Sequence, residues 1–174
     1  MLGTRPDLAH VVGVLGRHAS RPNASHWVTV SRTLEYVRGT LDYGLEFSPD
    51  DPPLHGFEAY SDSDWGADPS TSRSTMGYTF IHASGAVSWS SKLQSRVAAS
   101  STEAEYLVLS HASKEVVFLT QLLSELGFPL PSPPTLLGDN QGANALSRGP
   151  QFHDRTRHLR LSEHFVREQV QQGK

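Results

Sequence analysis

At 174 residues, with 37% hydrophobic and 19% charged side chains, the chain is long enough to bury one domain, or one domain with a short extension, and too short for two full ones. No apolar run is long enough to span a bilayer and none reads as a secretory leader, so a cytoplasmic or nuclear setting is expected; without cysteine, disulfides, thiolate zinc sites and cysteine nucleophiles are all removed, leaving oxygen and imidazole to hold any metal. The net charge of −3 is unevenly spread, because residues 148–174 hold six Lys/Arg against three acids; such a segment contacts phosphates or forms a solvated helix face, and composition alone favours the second.

Residues 1–20 predict a short helix with Pro6 near its first turn and Leu8, Val11, Val12 and Leu15 on one side, weakened by Gly13 and Gly16. After a break at Arg21, Pro22 and Asn23, a second helix is predicted over 24–38, with Trp27, Val30, Leu34 and Val37 as its apolar stripe and Gly39 as its stop. Residues 41–47 have the pattern of a short strand, and the SPDDPP run at 48–53 reads as a linker and a boundary. Residues 57–65 read as a strand and 67–74 as a polar loop. Residues 76–82 and 86–90 read as two further strands joined by a turn at Ser84 and Gly85, which makes a three-stranded meander.

The longest helical pattern starts at Ser100 and runs without Gly or Pro to about Leu126. Ser100 followed three residues later by Glu103 has the form of a capping box, in which the serine takes an orphan amide and the glutamate reaches back to the cap. Glu103 and Glu105 point about 200° apart on a helix. Glu103 therefore heads a largely polar row of Leu107, Ser110, Lys114 and Gln121. Glu105 heads the apolar row of Leu109, Ala112, Val116, Leu119, Leu123 and Leu126, which should face a sheet. A carboxylate at the head of a buried face pairs with something or binds something, because burying it unpaired is costly.

Gly127 and a Pro-rich loop end that helix. Residues 135–137 read as a short strand, with Asp139, Asn140, Gln141 and Gly142 at its C-terminal end, where open α/β sheets place their ligands. Residues 143–147 form one or two helical turns, and 157–172 a final amphipathic helix with Leu161, Phe165, Val166 and Val170 inward. His153, His158 and His164 make a poor transition-metal site, since His158 and His164 fall nearly opposite in azimuth on that helix.

Three carboxylates stand out by position: Asp62 or Asp64 in the first strand of the meander, Glu105 in the first turn of the long helix, and Asp139 beyond the fourth strand. Alternation puts Asp62 and Asp64 on one face, so periodicity leaves that choice open. Carboxylates from two strand ends and a helix N-terminus that converge suit divalent cations with oxygen ligands. Two such ions activate a water and stabilise the leaving oxygen in phosphodiester hydrolysis.

The segments YSDSDW, STMGYTFIHASGAVSWSSKLQSRVAASSTEAEY, LGDNQGANAL and FHDRTRHLRLSEHFVREQV, in this order, resemble the ribonuclease H domain of Ty1/copia-type LTR retrotransposon polyproteins. Upstream, TRPDLAHVVGVLGRHASRPNASHW and RTLEYVRGTLDYGL resemble the end of the reverse transcriptase and the connection before that domain. The resemblance covers nearly the whole chain. It implies an α/β ribonuclease H-like mixed sheet with flanking helices over 54–174, preceded by a reverse transcriptase remnant over 1–53. The implied activity is cleavage of the RNA strand of RNA/DNA hybrids with two Mg²⁺ ions, Mn²⁺ being a possible substitute, and the implied partners are the hybrid and the remainder of the polyprotein, with no membrane.

By the same resemblance the catalytic and metal-holding carboxylates fall on Asp62, Glu105 and Asp139. The family's fourth carboxylate, and the strand before it, would follow Lys174, so the domain is expected to be truncated and one cation position weakened. Arg160 stands where relatives usually carry aspartate, and the resemblance implies that the polymerase carboxylates would lie upstream of Met1, so polymerase activity is not expected of these residues. Ser91, Gln94, Asn140, Arg148, Arg155 and Arg157 are the expected nucleic-acid contacts, with turn and cap roles as the alternative for the first three. The alternative to a nuclease is an inactive relic or hybrid-binding fragment, whose binding would fall steeply with salt.

Overall fold

A computed structural model of the chain describes residues 3–48, 56–149 and 165–173. Its central strand, β1 (Glu58–Asp64), alternates as its sequence predicts: Ala59 and Ser61 point into the core, and Glu58, Tyr60, Asp62 and Asp64 point out. β1 pairs antiparallel with β2 (Thr75–His82), which pairs antiparallel with β3 (Gly85–Leu93). On its other side β1 runs parallel to the short β4 (Thr135–Leu137), giving the order β3-β2-β1-β4. A parallel neighbour needs a crossover, and α3 (Ser101–Glu125) lies in it, packed on β1 and β2. This is the mixed α/β sheet with flanking helices that the resemblance implies.

The β2–β3 turn falls one residue earlier than expected. Ala83 and Ser84 form the loop, both with left-handed φ, 50° and 65°, while Gly85 already pairs with His82. Two left-handed residues in a two-residue loop match the right-handed twist of the strands they join. A Cβ on Gly85 would sit 2.5 Å from the Phe47 ring and 2.7 Å from the Glu46 carbonyl oxygen, so the incoming chain crosses the start of β3 at close quarters. The strand predicted over 41–47 does not form: its side chains are mostly exposed, and the segment is attached through Ser48 N–H donating to the Ala83 carbonyl at 2.9 Å.

The apolar row headed by Glu105 faces the sheet as predicted. Ala112 and Leu119 join Phe57, Ala59 and Phe80 in one buried cluster, with Val116, Leu123 and Leu136 at its margin. Tyr106 and Leu109 form a second cluster with Ala143 and Leu146 of α4 (Gln141–Arg148). Leu126 lies past the sheet and is exposed. Gly127 ends α3 with a φ of 87°, and Phe128 N–H closes back on the Leu123 carbonyl at 2.9 Å. Of the last helix, α5 (Phe165–Gln171) is described; it buries Val166 and leaves Val170 exposed, and its expected first half, with Leu161, lies outside the described residues.

Before the sheet, a short 3-10 turn (Pro6–Leu8) leads into α1 (Ala9–Arg17), followed by α2 (Ala24–Gly39). Asn23 caps α2 by accepting from His26 N–H. The apolar stripe expected to bury α2 is largely open, with Trp27 69% and Leu34 61% exposed. Periodicity marks the face, but among the described residues this helix meets α1 and, through Tyr36, Arg5 and Asp7, and no strand. α1 rests on β3 and is pinned to the β1–β2 loop by an Arg17–Asp68 ion pair at 3.0 Å. The boundary expected at residue 53 lies outside the described residues. No helix among the described residues is long and apolar enough to cross a membrane.

Candidate metal centre

The start of α3 decides where its acids point. Ser100 Oγ accepts from Glu103 N–H at 3.1 Å, so the serine half of the capping box forms. The Glu103 carboxylate reaches one residue further back than predicted, accepting from Ala99 N–H at 2.7 Å and from Arg96 at 3.1 Å. Glu103 is consequently buried although it heads a polar row. With the helix capped there, Glu105 projects from the first turn toward the C-terminal end of β1.

Asp62, Glu105 and Asp139 each offer a carboxylate oxygen, and these oxygens lie within 4.8 Å of one another. Strand pairing brings them together. β1 delivers Asp62 opposite Gly77, where no side chain competes for space, and parallel β4 ends just before Gly138 and Asp139. Asn144 Nδ2 donates to the Gly138 carbonyl at 2.8 Å and holds that turn. Asp64 stays outside the cluster because its carboxylate accepts from the backbone N–H of Thr75 at the start of β2. Of the two aspartates that periodicity left open, Asp62 is the one in the cluster among the described residues.

Glu105 is 6% exposed, while Asp62 and Asp139 are open to solvent. Burial pushes the Glu105 carboxyl up to about 7, Ser63 N–H donating to its Oε1 at 3.0 Å opposes the rise, and the charges of Asp62 and Asp139 add to it. With all three carboxylates ionised, their like charges repel and favour a positive charge between them. An all-oxygen donor set with one ligand buried beneath two exposed ones fits a hard divalent ion of the Mg²⁺ or Mn²⁺ kind. The three carboxylates would hold it.

The pH dependence follows from that shift. The folded chain keeps the Glu105 proton up to about pH 7, whereas the ordinary value is 4.5. Stability contributed by this group is therefore full at low pH and is lost as pH rises from about 4.5 through 7. Glu105→Gln removes the loss and can still accept from Ser63. In EDTA at pH 8 the variant is expected to be more stable than the parent, by on the order of 2 kcal/mol, with the gap closing near pH 4.5. Urea titrations at the two pH values check this; a variant weaker at pH 8 contradicts it.

The expected nucleic-acid contacts fare differently. Asn140 caps α4, its Oδ1 accepting from Ala143 N–H at 3.0 Å. Ser91 Oγ lies 3.4 Å from His10 Nδ1 of α1. Gln94 is buried, 2% exposed. Arg148 is exposed at the end of α4, and Arg155 and Arg157 lie outside the described residues. The Ser63 amide, which steadies Glu105, escaped sequence reasoning because a backbone donor leaves no mark in residue type.

The chain is 42% identical over 98% of its length to the retrovirus-related Pol polyprotein from transposon RE2 of Arabidopsis thaliana. To the corresponding polyprotein from transposon TNT 1-94 of Nicotiana tabacum it is 41% identical, again over 98% of its length. It spans 12% of the length of each of these relatives. Over 69% of its length it is also 50% identical to the secreted RxLR effector protein 161 of Plasmopara viticola, covering 83% of that protein. No protein-family model and no solved structure matches it. With matches at this identity running along almost all of its residues, the chain belongs to the Ty1/copia-type Pol polyproteins of transposons.

Proposed function

We propose that the chain is the ribonuclease H segment of a copia-type Pol polyprotein, preceded over residues 1–53 by the end of the reverse transcriptase, and that it hydrolyses the RNA strand of RNA/DNA hybrids. The observation that carries this reading is the convergence of Asp62, Glu105 and Asp139, from two strand ends and a helix first turn, within 4.8 Å. Nothing in an ordinary fold requires three carboxylates at that spacing, and their mutual repulsion is tolerated where a cation relieves it.

Bound divalent cations supply activation of a water and stabilisation of the leaving oxygen. The chain's residues supply the holding. Glu105, whose Oε1 accepts from Ser63 N–H, lies buried beside the exposed Asp62 and Asp139, and the three carboxylates would hold the cation against an incoming phosphodiester. Water oxygen bonds to phosphorus, the bond from phosphorus to the 3′ oxygen breaks, and the 3′ oxygen takes a proton, leaving a 3′-hydroxyl and a 5′-phosphate. Arg148, exposed at the end of the helix that follows Asp139, is the side chain we assign to a backbone phosphate.

The test is incubation of the purified chain with end-labelled RNA/DNA hybrid, double-stranded RNA and double-stranded DNA in Mg²⁺ or Mn²⁺. Cutting confined to the RNA of the hybrid, and stopped by EDTA, is the expected result. A folded chain that binds the hybrid without cutting it makes the protein a hybrid-binding fragment instead.

A further inference from the structure

Gln94 follows β3 directly and is almost completely enclosed, yet it is a poor core filler. Its Oε1 is buried with no hydrogen-bond partner among the described residues, a costly arrangement that an apolar side chain of the same length would avoid. Its donors are fully occupied in a particular way. Nε2 donates to the Ala104 carbonyl at 2.9 Å and lies 3.3 Å from Ser63 Oγ, while its backbone N–H donates to the Ser74 carbonyl at 2.8 Å.

Ser63 follows Asp62 and donates to Glu105; Ala104 precedes Glu105. One side-chain amide therefore bridges the two backbone segments that carry Asp62 and Glu105, next to the bond from Ser63 N–H to Glu105. The rest of the loop after β3 is fastened to the same two segments, through Trp65 Nε1 donating to the Ala98 carbonyl at 3.1 Å and through Glu103 gripping Ala99.

We propose that Gln94 is a positioning residue of the carboxylate centre: its amide ties the end of β1 to the first turn of α3 and so sets the spacing between Asp62 and Glu105 at which a divalent cation is held. This role rests on the cation reading given above and adds to it a residue that touches neither the cation nor the nucleic acid. Neighbours of metal ligands that orient them change affinity by about ten- to a hundredfold when removed.

The test uses the full chain with Gln94→Met, of equal length but without donors, beside Leu119→Ala, which weakens the packing of α3 on the sheet and leaves the bridge intact. Amide hydrogen exchange followed by NMR reads the bridge without metal; Mn²⁺ binding reads its consequence. In Gln94→Met, protection of the Ser63 amide is expected to fall by about tenfold or more while that of Phe80 holds, and Mn²⁺ affinity to fall by about tenfold. Leu119→Ala is expected to lower the Ser63 and Phe80 protections in step and to leave Mn²⁺ affinity unchanged. Ser63 protection equal to the parent's in Gln94→Met, or lost only in step with Phe80, overturns the proposal. Should Gln94→Met not fold, Gln94→Asn, one methylene too short to reach both acceptors, gives the same readout. If the parent and Asp62→Asn bind Mn²⁺ equally, it is the cation reading that fails, and the Ser63 result still decides whether Gln94 positions Asp62 against Glu105.

Discussion

Asp62→Asn is expected to lower hybrid cleavage by about a thousandfold or more, and Asp64→Asn to leave it within about threefold. The two substitutions are chemically identical, sit two residues apart and lie on the same face of β1, so the comparison isolates geometry from charge. Asp62 lies in the carboxylate cluster, and asparagine there removes an anionic ligand where cation charge is to be balanced. Asp64 accepts from Thr75 N–H, and an asparagine oxygen accepts that bond equally well. Circular dichroism and thermal melts of both variants establish that the fold persists. Equal losses at the two positions would refute the assignment, and so would full activity in Asp62→Asn.

Phe80→Ala is expected to cost about 3–5 kcal/mol, a large share of the 5–15 kcal/mol that holds a domain folded. Phe80 is 0% exposed in the middle of β2, edge-on to Phe57 and Tyr78 at centroid distances of 6.3 and 5.4 Å, and packed with Ala59, Ala112 and Leu119. Those neighbours belong to a strand and a helix already held by other contacts, so they cannot collapse into the space left behind. Trp27→Ala, which removes a larger side chain from the open stripe of α2, is expected to change stability by about 0.5 kcal/mol or less. Urea titration of the two variants gives the comparison directly. A loss at Trp27 matching that at Phe80 would mean that something covers α2.

The contrast between these residues shows how far the sequence could be read. Local rules worked wherever the deciding interaction was local. Ser100 stops the backbone and starts α3, Gly127 ends it, and the three-residue β4 has the predicted bounds. The Glu105 row pointed at the sheet because helical periodicity and a sheet-facing apolar stripe are properties of one segment. The stripe of α2 has the same periodicity, but burial depends on what comes to lie against it, and that is a fact about other segments. Residues 41–47 have strand-like composition and find no ladder, since the chain passes across Gly85 instead of beside β3.

The candidate site divides in the same way. Its three carboxylates were visible because each sits at a landmark, a strand end or a helix start. The choice of Asp62 over Asp64 rests on resemblance, and the bond from Thr75 N–H that engages Asp64 is one that no periodicity encodes. Gln94 is expected from the sequence to touch nucleic acid, with a turn or cap role as the alternative, and instead it is enclosed. Its enclosed position depends on Ser63, Ser74 and Ala104 meeting at one point, and these come from three separate stretches.

The sheet order also governs the sequence of events by which the protein becomes competent. β1, β2 and β3 are neighbours along the chain and can zip together over short loops, whereas β4 must return to β1 after two strands and the whole of α3. Contacts that close long loops form late, because their entropy must be met before they return anything. Asp62 and Glu105 depend only on the earlier pieces; Asp139 arrives with β4. A nascent or partly unfolded chain thus holds two carboxylates without the third, and a cation that needs all three selects molecules that have finished folding. On the ribonuclease reading proposed above, divalent metal would then be held only by chains in which β4 has docked.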